Sequence, residues 1–181
     1  MLEQCIPMSF SKRPLISSRH GFTLIEMLIV ISIIAILAGL AFPAVNGAID
    51  SARRAQAKST VAQIAAAVSA YETEYGKLPQ IDDTNVDLAF INILTGQDIN
   101  ENPRRIVFLE VSMWKKGMGG TNADGDFCDP WADTNKYSIS LDTNYDNLVT
   151  ANPPTGSTNV MKKVAVWNNH TNTRFQVKSW E

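Results

Sequence analysis

Glu26 is the one charged residue between positions 22 and 45, a segment that reads FTLIEMLIVISIIAILAGLAFPAV. An ionised carboxylate near one end of a membrane-length helix costs on the order of 2 kcal/mol unless it protonates or finds a cation. It either snorkels to the interface or pairs inside the membrane, where an amino terminus created nearby by cleavage would supply the charge. A second cluster, Asp142, Asn144 and Asp146, has the 1, 3, 5 spacing of a calcium-binding EF-hand loop. Asn147 stands where that loop needs its turn glycine, and no Glu follows at position twelve. Asp124, Asp126 and Asp129 form a further acidic loop. For both loops the favoured chemistry is turn formation, with Asx side chains capping backbone amides, and calcium at Asp142, Asn144 and Asp146 is the competing assignment.

Little else has the spacing of a reactive centre. The chain holds two histidines, His20 and His170, and no nucleophile elbow, Walker loop or Cys/His metal spacing. His170 sits among Asn and Thr and reads as a solvated loop residue. Arg104 and Arg105 are suited to an acidic partner, but a basic pair beside a strand is more often a solvated edge. Of the two cysteines, Cys5 and Cys128, the second reads as a small buried residue. With 16 Lys+Arg against 18 Asp+Glu and no basic run, nucleic-acid binding is not expected. The 181 residues suffice for one domain with a modest core, and 45% hydrophobic content excludes a disordered chain.

The elements that must position these residues follow from periodicity. Phe22 to Phe42 covers 21 residues, roughly 31 Å as a helix, which is enough to cross a hydrocarbon core. The leader before it carries Lys12, Arg13 and Arg19, which favours a cytoplasmic amino terminus, although Arg53, Arg54 and Lys58 flank the other end. Beyond Pro43 the Ala-rich sequence continues the helix to Gly76, for about 54 residues in all. Val61, Ile64, Val68, Tyr71 and Tyr75 make one apolar face that needs a covering sheet. A short helix is predicted over 85–95, from a Thr84/Asp87 capping box to Gly96. Strands are predicted over 106–111, 137–141, 164–167 and 175–177. The expected class is α+β, a long helix followed by a small antiparallel sheet.

Arg19-His20-Gly21 followed by Phe22-Thr23-Leu24-Ile25-Glu26 resembles the cleavage and methylation motif of type IV pilins and type II secretion pseudopilins. The resemblance implies a pilin fold, cleavage between Gly21 and Phe22 by a prepilin peptidase, N-methylation of Phe22, an assembly role for Glu26 and a helix kink at Pro43. It divides the chain into a cleaved leader (1–21), a transmembrane and filament-core helix (22–45), its amphipathic continuation (46–76) and a globular head (77–181). Tyr75-Gly76-Lys77-Leu78-Pro79, the 102–110 segment, Asp129-Pro130-Trp131 and Lys178-Ser179-Trp180 are similar to the major pseudopilin in particular.

The implied protein is not an enzyme. It is a structural subunit held in the inner membrane with its head in the periplasm, partnered by the peptidase, other pseudopilins, the assembly platform and copies of itself. Cleavage would remove Cys5 and leave Cys128 alone, without the disulfide common in type IV pilins. The family's calcium loop corresponds to 167–174, which has no carboxylate here, so that metal site is not transferred and amide hydrogen bonding is the expected tie. No cofactor is expected. The alternatives are a type IV pilin-like fibre for adhesion, motility or DNA uptake, and a membrane-anchored enzyme or binding module.

Overall fold

The computed structural model describes residues 21–81 and 84–181, and the chain divides into two compact units, 1–44 and 45–181. The leader, with Cys5, Lys12, Arg13, Arg19 and His20, lies outside the described residues. Helix α1 (Leu24–Tyr75, 52 residues) begins in the first unit and passes through Pro43. In that unit its apolar side chains face outward: Ile25, Ile33 and Leu40 are 65%, 53% and 73% exposed. Ser32 satisfies its hydroxyl on its own helix, donating to the Leu28 carbonyl at 2.7 Å, as a polar group in apolar surroundings must.

In the second unit the predicted stripe is the core. Ala57, Val61, Ile64, Val68 and Tyr71 are buried on one face of α1, and Tyr75 packs beside them half-buried. The helix stops where Gly76 turns left-handed at φ 69° and its N–H returns to the Glu72 carbonyl at 2.8 Å. Helix α2 (Leu88–Thr95) packs Phe90, Ile91, Ile93 and Leu94 into the same core. It begins three residues later than predicted: Asp87 is the N-cap, accepting from Phe90 N–H at 2.9 Å, while Asn85 bridges to Ser138. At its other end Gly96 has φ 78°, and a Cβ there would stand 2.8 Å from the Arg105 backbone, so glycine is required.

Three small antiparallel sheets follow, β1 (Gly120–Thr121) with β2 (Phe127–Cys128), β3 (Tyr137–Leu141) with β6 (Val164–Asn168), and β4 (Val149–Ala151) with β5 (Thr158–Val160). Strand β6 is buried on both faces: Val164 and Val166 point to the helical core, and Ala165 and Trp167 to a second cluster closed by Val149, Ala151, Val160 and Trp180. The architecture is therefore α+β and pilin-like, a long helix whose second half packs on small antiparallel sheets.

Two predicted strands are absent. Residues 106–111 are irregular because their donors go elsewhere: Phe108 and Leu109 N–H both bond the Leu94 carbonyl, and Ile106 N–H bonds Asn102 Oδ1. Phe175 instead ends a 3-10 turn (Thr173–Phe175), and Lys178, one residue beyond Val177, makes a single bridge with Trp167.

Candidate functional site

Gly21 and Phe22 precede the helix as exposed, non-helical residues, with Phe22 77% exposed. A Cβ at Gly21 would meet nothing within 4 Å, so no contact inside the chain demands glycine there. Thr23 opens α1 through a capping box. Its N–H and its hydroxyl donate to Glu26 Oε2 at 2.8 and 2.7 Å, and Glu26 N–H donates back to Thr23 Oγ1 at 3.2 Å. The carboxylate thus satisfies orphan donors of its own helix start. This local role was legible as the Thr-x-x-Glu spacing and is absent from the sequence reading, which sought a partner for Glu26 only beyond its own helix.

The acidic loops are built from turn bonds. Asp142 is 1% exposed, and its Oδ1 and Oδ2 accept from Asp146 N–H at 3.1 Å and Asn147 N–H at 2.7 Å. Asn144 donates to Asp146 Oδ2 at 2.9 Å, and Asp146 Oδ1 accepts from Leu148 N–H at 2.8 Å. Those amides are aimed inward by left-handed turns at Tyr145 and Asn147. The other acidic stretch does not converge: Asp126 pairs with Lys136 at 2.7 Å, whereas Asp129 turns to Asn168. Among the described residues no three His, Cys, Asp or Glu side chains group as metal ligands.

The 167–176 segment is tied by amides, as its composition led us to expect. Asn168 is the hub. Its Nδ2 donates to Asp129 Oδ2 at 3.0 Å and to the Phe175 carbonyl at 3.1 Å, while its Oδ1 accepts from Val177 N–H at 2.9 Å. Asp129 completes its shell with Trp131 and Ala132 N–H, yet burial still raises its pKa. Asn169 and Gln176 add bonds to Ser138 Oγ and the His170 carbonyl. The sequence signal for this hub was one Asn ending an otherwise apolar strand.

His170 corrects its solvated reading. It is half-buried, with its ring 5.3 Å from Trp131 and 5.2 Å from Phe175, centroid to centroid. Arg104 is ion-paired with Glu74, at the end of α1. Tyr75 donates to Asn102 Oδ1 at 2.6 Å, and Tyr71 donates to the Glu101 carbonyl at 2.8 Å, so this surface joins helix to loop. Cys128 is a fully buried free thiol, pushed up to about 12 mainly by burial.

Residues 16–42 match the family described as "Prokaryotic N-terminal methylation motif". That stretch contains the Gly21–Phe22 bond, the Thr23–Glu26 cap and the exposed apolar part of α1. A motif of this kind marks type IV pilin-like and pseudopilin subunits in general, and it implies processing by a prepilin peptidase and filament assembly. Helix α1 is long and apolar enough to cross a membrane. No curated protein and no solved structure matches the chain.

Proposed function

We propose that this chain is a non-enzymatic subunit of a periplasmic pseudopilus serving type II protein secretion, anchored by residues 22–45 in the inner membrane before assembly. The observation that carries the reading is the exposed apolar helix opening directly after Gly21–Phe22, within the methylation motif. A single buried thiol at Cys128, with no second described cysteine to staple it, favours the pseudopilus over a surface pilus. After cleavage, Phe22 carries the methylated amine and the Glu26 carboxylate of one subunit neutralises the amine of its neighbour, so that an unmatched pair penalises the wrong axial register.

Intact mass and amino-terminal sequencing from membranes, with and without a prepilin peptidase, test the class. A mature chain beginning at N-methylated Phe22 is expected; an uncut chain would overturn the reading. Glu26→Val should leave cleavage intact and abolish filament yield, and wild-type yield from the variant would remove the assembly role. Pull-down of a secretin-linked assembly platform, rather than a retraction ATPase system, is expected for a pseudopilus. The amide-capped 142–147 turn supports a fold independent of calcium, and no calcium-dependent rise in Tm is expected. A clear rise would reinstate Asp142, Asn144 and Asp146 as ligands.

A further inference from the structure

Within the second unit, residues 59–71 of α1 carry no charge, although one side of this stretch faces away from the core. Ala62, Ala66, Ser69 and Ala70 are exposed there, where a solvated helix face ordinarily carries charged side chains. Its hydroxyl is already satisfied, since Ser69 donates to the Ala65 carbonyl at 3.1 Å, and Thr73, the next exposed hydroxyl, donates to the Ser69 carbonyl at 2.8 Å. Covering this face therefore strands no hydroxyl donor.

Two open clefts border it. One lies between α1, at Ala65, Ala66 and Ser69, and residues 162–164; the other lies between α1, at Gln63, Ala66 and Ala70, and residues 108–110. At about 100° per residue, Ala65 and Ser69 fall on one side of Ala66, and Gln63 and Ala70 on the other. The face is thus a floor between two walls, both standing at the level of Ala66. The walls differ in charge. Lys163 is paired with Glu72 at 2.7 Å, but Lys162 is exposed and its Nζ donates to the Ser179 carbonyl at 3.1 Å without a carboxylate. Glu110 on the opposite wall is exposed and forms no ion pair among the described residues. Other charges of the second unit are unpaired too; these two are set apart by facing each other across one uncharged face. Beside each charge stands an exposed apolar residue, Met161 at 88% and Val107 at 58%.

Such a face is complementary to itself in one orientation. A second copy related by a two-fold axis parallel to α1 brings opposite walls together, so that each cation meets a carboxylate and each apolar residue an apolar wall. An axis across α1 brings like walls together, cation upon cation, which is unfavourable. We propose that this face of α1 is a two-fold contact between two copies of the chain, with the helices parallel and Lys162 of each copy paired with Glu110 of the other. The contact closes on itself, so it makes a dimer and not a fibre. It uses residues of the second unit alone and stands whether or not the chain forms a filament.

Zero-length carbodiimide cross-linking tests the contact, because it joins an ammonium to a carboxylate only where the two touch. The full chain in detergent is mixed from nitrogen-14 and nitrogen-15 preparations, cross-linked and read by mass spectrometry. A Lys162–Glu110 linked peptide with one half of each isotope is expected. Absence of that peptide, or its recovery only with both halves from one isotope, would overturn the proposal, as would a mixed-isotope link from Lys162 to any other carboxylate in its place. Sedimentation equilibrium of charge exchanges in the same detergent gives a second measure. Lys162→Glu alone and Glu110→Lys alone should each weaken dimerisation by about tenfold, since each alters both symmetric pairs, and the double exchange should restore it. Dimerisation insensitive to the single exchanges would place the association elsewhere in the chain and overturn the contact.

Discussion

One helix carries two opposite surfaces. In the first unit Ile33, Leu37 and Leu40 of α1 are 53%, 62% and 73% exposed, whereas in the second Val61, Ile64 and Val68 of the same helix are 1%, 0% and 0% exposed. Residue type does not distinguish them, because both sets are aliphatic and both sit on regular helix. Neighbours do. Phe90, Leu94, Ile139 and Val166 cover the second set, and among the described residues nothing covers the first. An exposed apolar surface of that extent suits contact with lipid or other subunits, whereas the second set is buried by this chain itself.

Matched truncations test that contrast most strongly. Ile64→Ala should destabilise the second unit by about 2–5 kcal/mol, through lost transfer energy and a residual cavity. Ile34→Ala, at a position 59% exposed, should leave head unfolding within about 0.5 kcal/mol of wild type. Denaturant unfolding of both variants in one detergent makes the measurement. Comparable losses at the two positions would break the comparison, since Ile34 would then contribute to the folded head.

A smaller effect separates packing from polar ties within the head. Asn168→Ala removes the acceptor of Val177 N–H and the donor to Asp129 and to the Phe175 carbonyl, and should cost about 2–3 kcal/mol because those groups are left buried. A urea midpoint close to wild type would mean that the 167–176 segment is held by the Trp131–His170–Phe175 aromatic contacts instead.

What could be read from sequence follows the same division. Helix α1 was legible because a long apolar run and a 3–4 stripe are strong periodic signals, and Gly76 and Gly96 end their helices as their turn chemistry requires. Strands β3 and β6 were legible as runs of five residues. Strands β1, β2, β4 and β5 have two or three residues each, too few to show alternation. The 106–111 run has strand composition, but Asn102 and the Leu94 carbonyl, contacts set by tertiary structure, take its amides. At the amino terminus the motif residues were plain while the Thr23–Glu26 cap was overlooked, because the carboxylate was weighed as a membrane charge and not as a helix N3 residue. The Asn168 hub joins positions 39 residues apart, which no local pattern encodes.

The smallest expected effect is a pH dependence from Asp129. Burial raises its pKa, opposed in part by the Trp131 and Ala132 amides, by Asn168 and by the charge of His170. With the folded value above the unfolded one of about 3.9, the native state binds more protons between the two. The protonated carboxyl therefore favours the fold fully below the unfolded value, and that contribution is lost as pH rises through the folded value. Asp129→Asn cannot titrate, and its amide, facing the Asn168 donor, adds an offset that does not change with pH. The stability of wild type minus that of the variant should then fall as pH rises above about 3.9, with other titrations cancelling in the difference. Urea unfolding of both proteins across that range decides it. A difference that grows with pH would mean the hydrogen bonds to the Asp129 carboxylate outweigh its burial, making the ionised Asp129–Asn168 pair a net tie of the head.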